Sequence, residues 1–424
     1  MTLPRIESAL PAGEDPVAYA RLLRRVRDAA LGGPAGPPAA PAPRAVIAAS
    51  WRRVRSGGLD PAGGPEVPPL DPAELHRRRA ASGLAELMPV LRSRLLPAAE
   101  AAGQILVVVD PSGRVLWREG GAAVRRRADA LGFVEGSAWD EHSVGTNAIG
   151  TSLVVDAPMH VYAGEHYAES HQPWTCAAAP LHDPVTGRLL GAVDLSGPAH
   201  TVHPATVALV DAVCRLASLE LAVAYERRLE RLRALAAPLL ARLTGPALVV
   251  SADGGIAAAT GLLPPGRVAL PSSLRAGPMW LPALGRCTVE PLPGGWLLRP
   301  GPPAEGAAAV VLDLSAVPAR LHVSGPSGGW DATVSTRHAE ILLALVRHRD
   351  GRSAAQLARD LFGDPARTVT VRAEVSRLRR TLGPLLDSAP YRIPPDVRVS
   401  VRLPPDPALL LPGSSAPLVA ALRG

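Results

Sequence analysis

Lysine is absent from this chain: its 45 basic residues are all arginine, set against 38 acids for a formal net charge of +7 over 424 residues. A P-loop needs a lysine on the nucleotide phosphates and a protein kinase needs one on its third strand, so both kinds of phosphoryl-transfer enzyme are excluded. Cysteine is scarce as well. Cys176, Cys214 and Cys287 are far apart and odd in number, which suits a reducing cytosol better than a disulfide framework. No apolar run approaches the roughly 20 residues of a membrane span. The first residues carry acids and prolines where a signal peptide needs a basic start and an apolar core. A soluble, cytoplasmic protein without a membrane partner is therefore expected. Aromatic residues make up only 3%, whereas Pro 46 and Gly 40 are plentiful and dispersed. The length suffices for about three domains of ordinary size, each with its own core.

The most informative stretch spans residues 137–151. Trp139, Asp140, Glu141 and His142 stand just ahead of Gly145-Thr146-Asn147, where small and amide residues suit a tight turn feeding a helix. Downstream lie Glu165-His166-Tyr167, the run from Trp174 through Cys176 to Pro180, and Asp194-Leu195-Ser196-Gly197. Taken in order, these motifs resemble the GAF domain of acetoin-catabolism-type transcriptional activators over about residues 45–200. Ser50-Trp51-Arg52-Arg53 and Gly58-Leu59-Asp60-Pro61 extend the likeness towards the N-terminus. The resemblance implies an antiparallel sheet with flanking helices and a ligand pocket between them. Those activators carry an ATPase motor after the GAF domain, and without lysine that motor must be missing here.

Patterning supports an antiparallel sheet independently. Ile105–Val109, the turn Asp110-Pro111-Ser112-Gly113, and Arg114–Trp117 read as strand, turn, strand; Thr175–Leu181 and Arg188–Leu195 flank a second Gly-ending turn. Ahead of them, residues 16–31 and 45–55 have helical spacing around a Gly/Pro/Ala linker at 32–43. From Pro204 to Leu243, Tyr225, Leu229, Leu232, Ala236, Leu239 and Leu243 alternate four- and three-residue steps. That spacing is a heptad seam, interrupted by Pro238, and predicts a homodimer through a coiled coil; the alternative is a helix packed on its own domain. Residues 244–318 hold short apolar strands between Gly/Pro-rich turns, a small β-rich and PAS-like domain by analogy.

The candidate ligand-binding residues are Trp139, Glu141, His142, Thr146, Asn147, His166, Trp174 and Cys176. Each has a plain structural reading as core or cap; the clustering carries the case for a small-molecule effector. His160, His166, His171, Cys176 and His182 match no zinc or haem spacing, so neither metal nor cofactor is expected. Cys176 sits inside a predicted buried strand, where a thiol is inert, so a catalytic role is not expected either.

The C-terminal segment shows its caps. Ser335 can begin a helix bearing Ile341, Leu342 and Leu345; Ser353 and Gln356 form a capping box for the next; and a third carries Val371, Val375, Leu378 and Leu382 on one side. Its remaining faces are crowded with arginine. Residues 331–403 resemble the winged-helix output domains of response regulators, most closely over residues 370–380, with Tyr391–Ile393 and Val397–Val401 as the wing hairpin. The resemblance makes Arg367, Thr368, Thr370, Arg372, Ser376, Arg377, Arg379 and Arg380, with Arg392 and Arg398 on the wing, the candidate DNA contacts. The expected plan is an α+β multidomain chain: helical extension 1–98, GAF sensor 99–203, connecting helix 204–243, β-rich PAS-like domain 244–318, winged helix-turn-helix 330–404 and tail 405–424. It implies a one-component transcription regulator, with a scaffold acting on another regulator, or a GAF-bearing enzyme, as the alternatives.

Overall fold

The computed structural model describes residues 7–31, 41–62, 68–263, 267–268, 270–271, 274–281, 284–301, 309–325, 328–382, 385–395 and 397–423. Most of the expected 32–43 linker, Gly383, Asp396 and the Arg380 side chain lie outside the described residues. The chain divides into two compact units, Met1–Ala224 and Tyr225–Gly424.

The first unit is built on an antiparallel sheet of β1 (Ile105–Val109), β2 (Val115–Gly120), β3 (Met159–Tyr162), β4 (Trp174–His182) and β5 (Leu189–Pro198), in the order β2-β1-β5-β4-β3. Successive residues of a strand point to opposite faces, so a continuous apolar run such as β1 feeds two cores. Ile105, Val107 and Val109 face one way with Trp174, Cys176 and Ala178. Leu106 and Val108 face the other with Ala177, Ala179 and Leu195. Helices α3 (Pro72–Ser82) and α4 (Met88–Ala101) precede the sheet, and α4 covers the second face together with the first half of α8 (Thr206–Leu240), through Leu91, Leu95, Val207, Val210 and Val213.

Helices α1 (Pro16–Leu31) and α2 (Ala45–Ser56) match the periodicity, but they do not form a separate extension. Val26, Ile47, Trp51 and Val54 are buried in the core of the first face, because an amphipathic helix contributes stability only by burying its apolar stripe. The same face carries α5 (Ala122–Asp129), α6 (Glu141–Val144) and α7 (Ala148–Val155).

The second unit begins with β6 (Ala247–Ser251), β7 (Ile256–Thr260), β8 (Gly277–Leu281), β9 (Gly285–Leu292) and β10 (Gly295–Pro300), ordered β7-β6-β10-β9-β8. This is the strand order of the first sheet repeated. The heptad residues of α8 are not a free coiled-coil seam: Leu229, Leu232 and Ala236 pack onto Ala247, Val249, Ala257 and Leu297, while Leu239 is exposed. A three-four repeat marks one helix face and does not say whether a helix or a sheet covers it.

A further sheet, ordered β13-β12-β11-β16, joins β11 (Ala309–Asp313), β12 (Arg320–Gly325) and β13 (Gly328–Thr333) to β16 (Arg398–Arg402). Strands β11 and β16 are parallel, Val310 opposite Val399 and Leu312 opposite Val401. The boundary expected at 318–330 therefore falls inside one sheet. Helices α9 (Thr336–Arg347), α10 (Ala354–Phe362) and α11 (Thr368–Leu382) share a core with that sheet, to which Leu410, Leu411, Ala416 and Val419 also belong. The expected tail is thus packed, partly as α12 (Pro417–Arg423). The expected wing hairpin is not formed as drawn. Tyr391–Arg392 (β15) pairs with Asp387–Ser388 (β14), and β16 pairs with β11 instead.

Candidate functional site

The first face of the first sheet gathers half of the expected ligand residues. Trp139 is buried, its Nε1 donating to Ser137 Oγ at 3.0 Å, with ring centroids 3.8 Å from Phe133 and 4.9 Å from His171. Trp174 and Cys176 reach the same core from alternate positions of β4. His166 stands edge-on to His171, centroids 6.2 Å apart, and its Nδ1 lies 3.1 Å from the Ala163 carbonyl. Tyr167 follows on the same core, and Gly145 has a φ of +78° where a Cβ would stand 2.8 Å from the Tyr167 Cβ. Only glycine permits that backbone approach.

Three of the other four expected residues, Glu141, Thr146 and Asn147, are tied up in internal hydrogen bonds. Glu141 takes two hydrogen bonds from Arg53 at 2.8 Å, one from Ser50 Oγ at 2.6 Å and one from Thr151 Oγ1 at 2.8 Å. Burial disfavours its charged form, but the donors from Arg53, Ser50 and Thr151 outweigh that and hold the carboxyl below its ordinary value. Thr146 Oγ1 is 2.7 Å from Ser50 Oγ in the same knot. Asn147 caps α7, accepting from Gly150 N at 2.9 Å and donating to the Trp139 and Gly145 carbonyls. His142 is exposed on α6.

Two polar residues on this face, Asp194 and Ser196, were read in the sequence only as part of a motif and not as site residues. Ala192, Asp194 and Ser196 alternate with Val193 and Leu195 along β5, and Ser196 lies opposite Cys176, Asp194 opposite Ala178. Asp194 is fully buried and accepts from Ser196 Oγ at 2.5 Å; its Oδ1 has no partner. His171 Nδ1 and His166 Nε2 are also buried without partners. Burial lifts the Asp194 carboxyl to about 8, and drops His166 to about 3 and His171 to about 4. Burial and the neighbouring Asp194 also push the Cys176 thiol up. The signal was available as a polar pair at i and i+2 in an otherwise apolar strand. Among the described residues, no cluster of three or more histidine, cysteine or carboxylate groups is placed to hold a metal ion.

In the second unit, α11 buries Val371, Val375, Leu378 and Leu382. Arg372, Ser376, Arg377 and Arg379 are exposed around the rest of it, as are Thr370 and Arg367; Thr368 opens the helix half-buried. Arg377 is ion-paired with Glu374 on the same helix, and Arg379 donates to the Leu386 carbonyl at 3.2 Å. Arg398 is exposed at the start of β16, whereas Arg392 is held by Asp387 at 2.9 Å.

Residues 24–216, which hold the first face of the first sheet, match the family model described as MimR, N-terminal domain. One relative, an uncharacterized 47.3 kDa protein in the thcA 5'region of Rhodococcus erythropolis, is 31% identical over 82% of this chain and 63% of its own length. The acetoin dehydrogenase operon transcriptional activator AcoR of Bacillus subtilis is 34% identical over 44% of this chain, which spans 31% of that protein. A solved complex of E. coli DhaR(N) with DhaL aligns with a TM-score of 0.41 at 20% identity, over 61% of this chain and 99% of that one. The relatives whose role is described are regulators of transcription, not enzymes.

Proposed function

We propose that the chain is a one-component transcription regulator: the first unit, a GAF-type sensor, holds a small organic effector, and the winged-helix part of the second unit reads DNA. The observation that carries this reading is the division of α11. Its apolar positions are spent on the core around α9 and α10, which leaves Arg372, Arg377 and Arg379 turned to solvent on the helix that follows a capped helix and turn. In a helix-turn-helix that later helix enters the major groove, and arginines supply phosphate and guanine contacts. DNA fragments selected by the full chain from genomic DNA test it: affinity should fall linearly with salt on a log–log scale, with a slope near −0.9 per phosphate neutralised. Absence of binding at low salt refutes it.

The regulator works as a homodimer in this reading, through a different part of α8 from the heptad read in the sequence. Leu209, Ala212, Leu216, Leu219 and Val223 follow each other by three, four, three and four residues; Leu209, Leu219 and Val223 are 38%, 63% and 49% exposed. Arg215 and Glu220 flank this stripe five residues apart, the spacing at which g and e positions of two parallel helices meet across a coiled coil. A second copy therefore supplies both the apolar face and the opposite charges. A chain that is monomeric at micromolar concentration by sedimentation refutes this part.

A further inference from the structure

Helix α11 opens on a β-branched run, Thr368-Val369-Thr370-Val371, which lowers helix propensity and so needs a reason other than forming the helix. Val371 has one, since it packs into the core around α9 and α10. Val369 does not: it is 76% exposed. A lone exposed valine is ordinary, but the position of this one is not. Successive helical residues are turned by about 100°, which sets Val369, Ala373 and Ser376 along one crest, opposite the buried Val371, Val375, Leu378 and Leu382. All three crest residues are exposed.

Arginines stand on either side of that crest, Arg372 and Arg379 on one flank and Arg377 on the other, each about 80° away around the helix. Two of them are held there: Arg377 is ion-paired with Glu374, and Arg379 donates to the Leu386 carbonyl. Cations so placed meet the sugar-phosphate walls of a groove that the crest enters, and such contacts fix register without reading sequence. The crest itself offers the groove floor two small apolar side chains, Val369 and Ala373, in the N-terminal half of the helix, and then the Ser376 hydroxyl. In a helix-turn-helix that N-terminal part reaches the base edges. Among the groups that base pairs display in the major groove, the thymine C5-methyl is the one that apolar side chains recognise.

We propose that Val369 and Ala373 are specificity-determining residues, each packing on the C5-methyl group of a thymine in the major groove. One helical turn separates them, about 6 Å along the axis, which is on the order of two base-pair steps. The site that α11 occupies therefore carries two thymines at about that separation, on either strand. The inference rests on the reading of the second unit as a DNA reader and names what that reader recognises.

The test uses the full chain and a duplex taken from the genomic fragments it selects, with each thymine in turn replaced by deoxyuridine, which pairs identically but lacks the methyl group. Replacement at two positions should weaken parent binding about fourfold each, the factor that burying one methyl group supplies, with the log–log salt slope unchanged. Val369→Ser and Ala373→Ser should each abolish the sensitivity at one of those positions and keep it at the other, with parental Tm because both side chains are exposed. Arg372→Ala should do the reverse, lowering the salt slope and keeping both sensitivities. Sensitivities that survive in both serine variants assign the methyl contacts to other residues and overturn the inference. Equal affinity for every deoxyuridine duplex, with sequence-dependent binding intact, also overturns it and leaves the DNA reading standing. If the chain binds no DNA at low salt, both fall.

Discussion

Asp194→Asn should change how stability depends on pH, and the size of the change follows from burial. A carboxyl lifted from 3.8 to about 8 in the folded chain binds more protons folded than unfolded. Its stabilising effect is complete below 3.8 and is lost steadily as pH rises to about 8. His166 and His171 act in the opposite sense, since their lowered values cost stability as pH falls below 6.5. Between pH 6.5 and 8 both imidazoles are silent and Asp194 acts alone among the three. At about 1.36 kcal/mol per pH unit, the parent should lose about 2 kcal/mol over that interval, on the order of a 1 M shift in urea midpoint for a slope of about 2 kcal/mol/M. The variant should lack this loss. Urea unfolding followed by tryptophan fluorescence at pH 6.5 and 8 reads both, and the parent-minus-variant difference removes groups common to the two. Parallel losses in parent and variant would refute the protonated, buried carboxyl.

Three further outcomes are expected. Glu141→Ala strips the Arg53, Ser50 and Thr151 donors of their acceptor and should cost about 3 kcal/mol in urea unfolding, the low end for a broken buried pair because Arg53 is 37% exposed; a variant of parental stability that has lost effector binding would return Glu141 to the ligand site. Leu219→Asp should lower the sedimentation coefficient to that of a monomer with Tm unchanged, whereas Leu232→Asp, at a position 4% exposed against the second unit's sheet, should depress Tm with little direct effect on dimerisation; the reverse pattern would restore the C-terminal heptad as the interface. Replacing Arg372 and Arg377 together by alanine should lower the log–log salt slope of DNA binding by about two units without unfolding the chain, and an unchanged slope would clear α11 of phosphate contact.

Local patterns were legible in the sequence because they depend on neighbours a few residues away. The apolar stripe of α11, the Ser335 cap, the Ser353 and Gln356 capping box and both hairpins of the first sheet are of this kind. They rest on helical or strand periodicity and on side chains that bond their own backbone. The clustering of Trp139, His166, Trp174 and Cys176 was also readable, from motifs in order, and Asn147 reads as a cap, but the roles of Glu141 and Thr146 were not legible. A polar residue before a helix reads the same whether it faces a ligand or, like Glu141, meets Ser50 and Arg53 from a helix about ninety residues earlier. Only tertiary structure decided which partner each face received. The heptad of α8 went to a sheet that follows it in the chain; β16 went beside β11 instead of closing a local hairpin; and the polar pair of β5 was shut into a core with no partner for the Asp194 Oδ1. Periodicity states that a face must be buried, and the energy of burying it is nearly indifferent to what does so, so the choice rests on long-range packing that no local window contains.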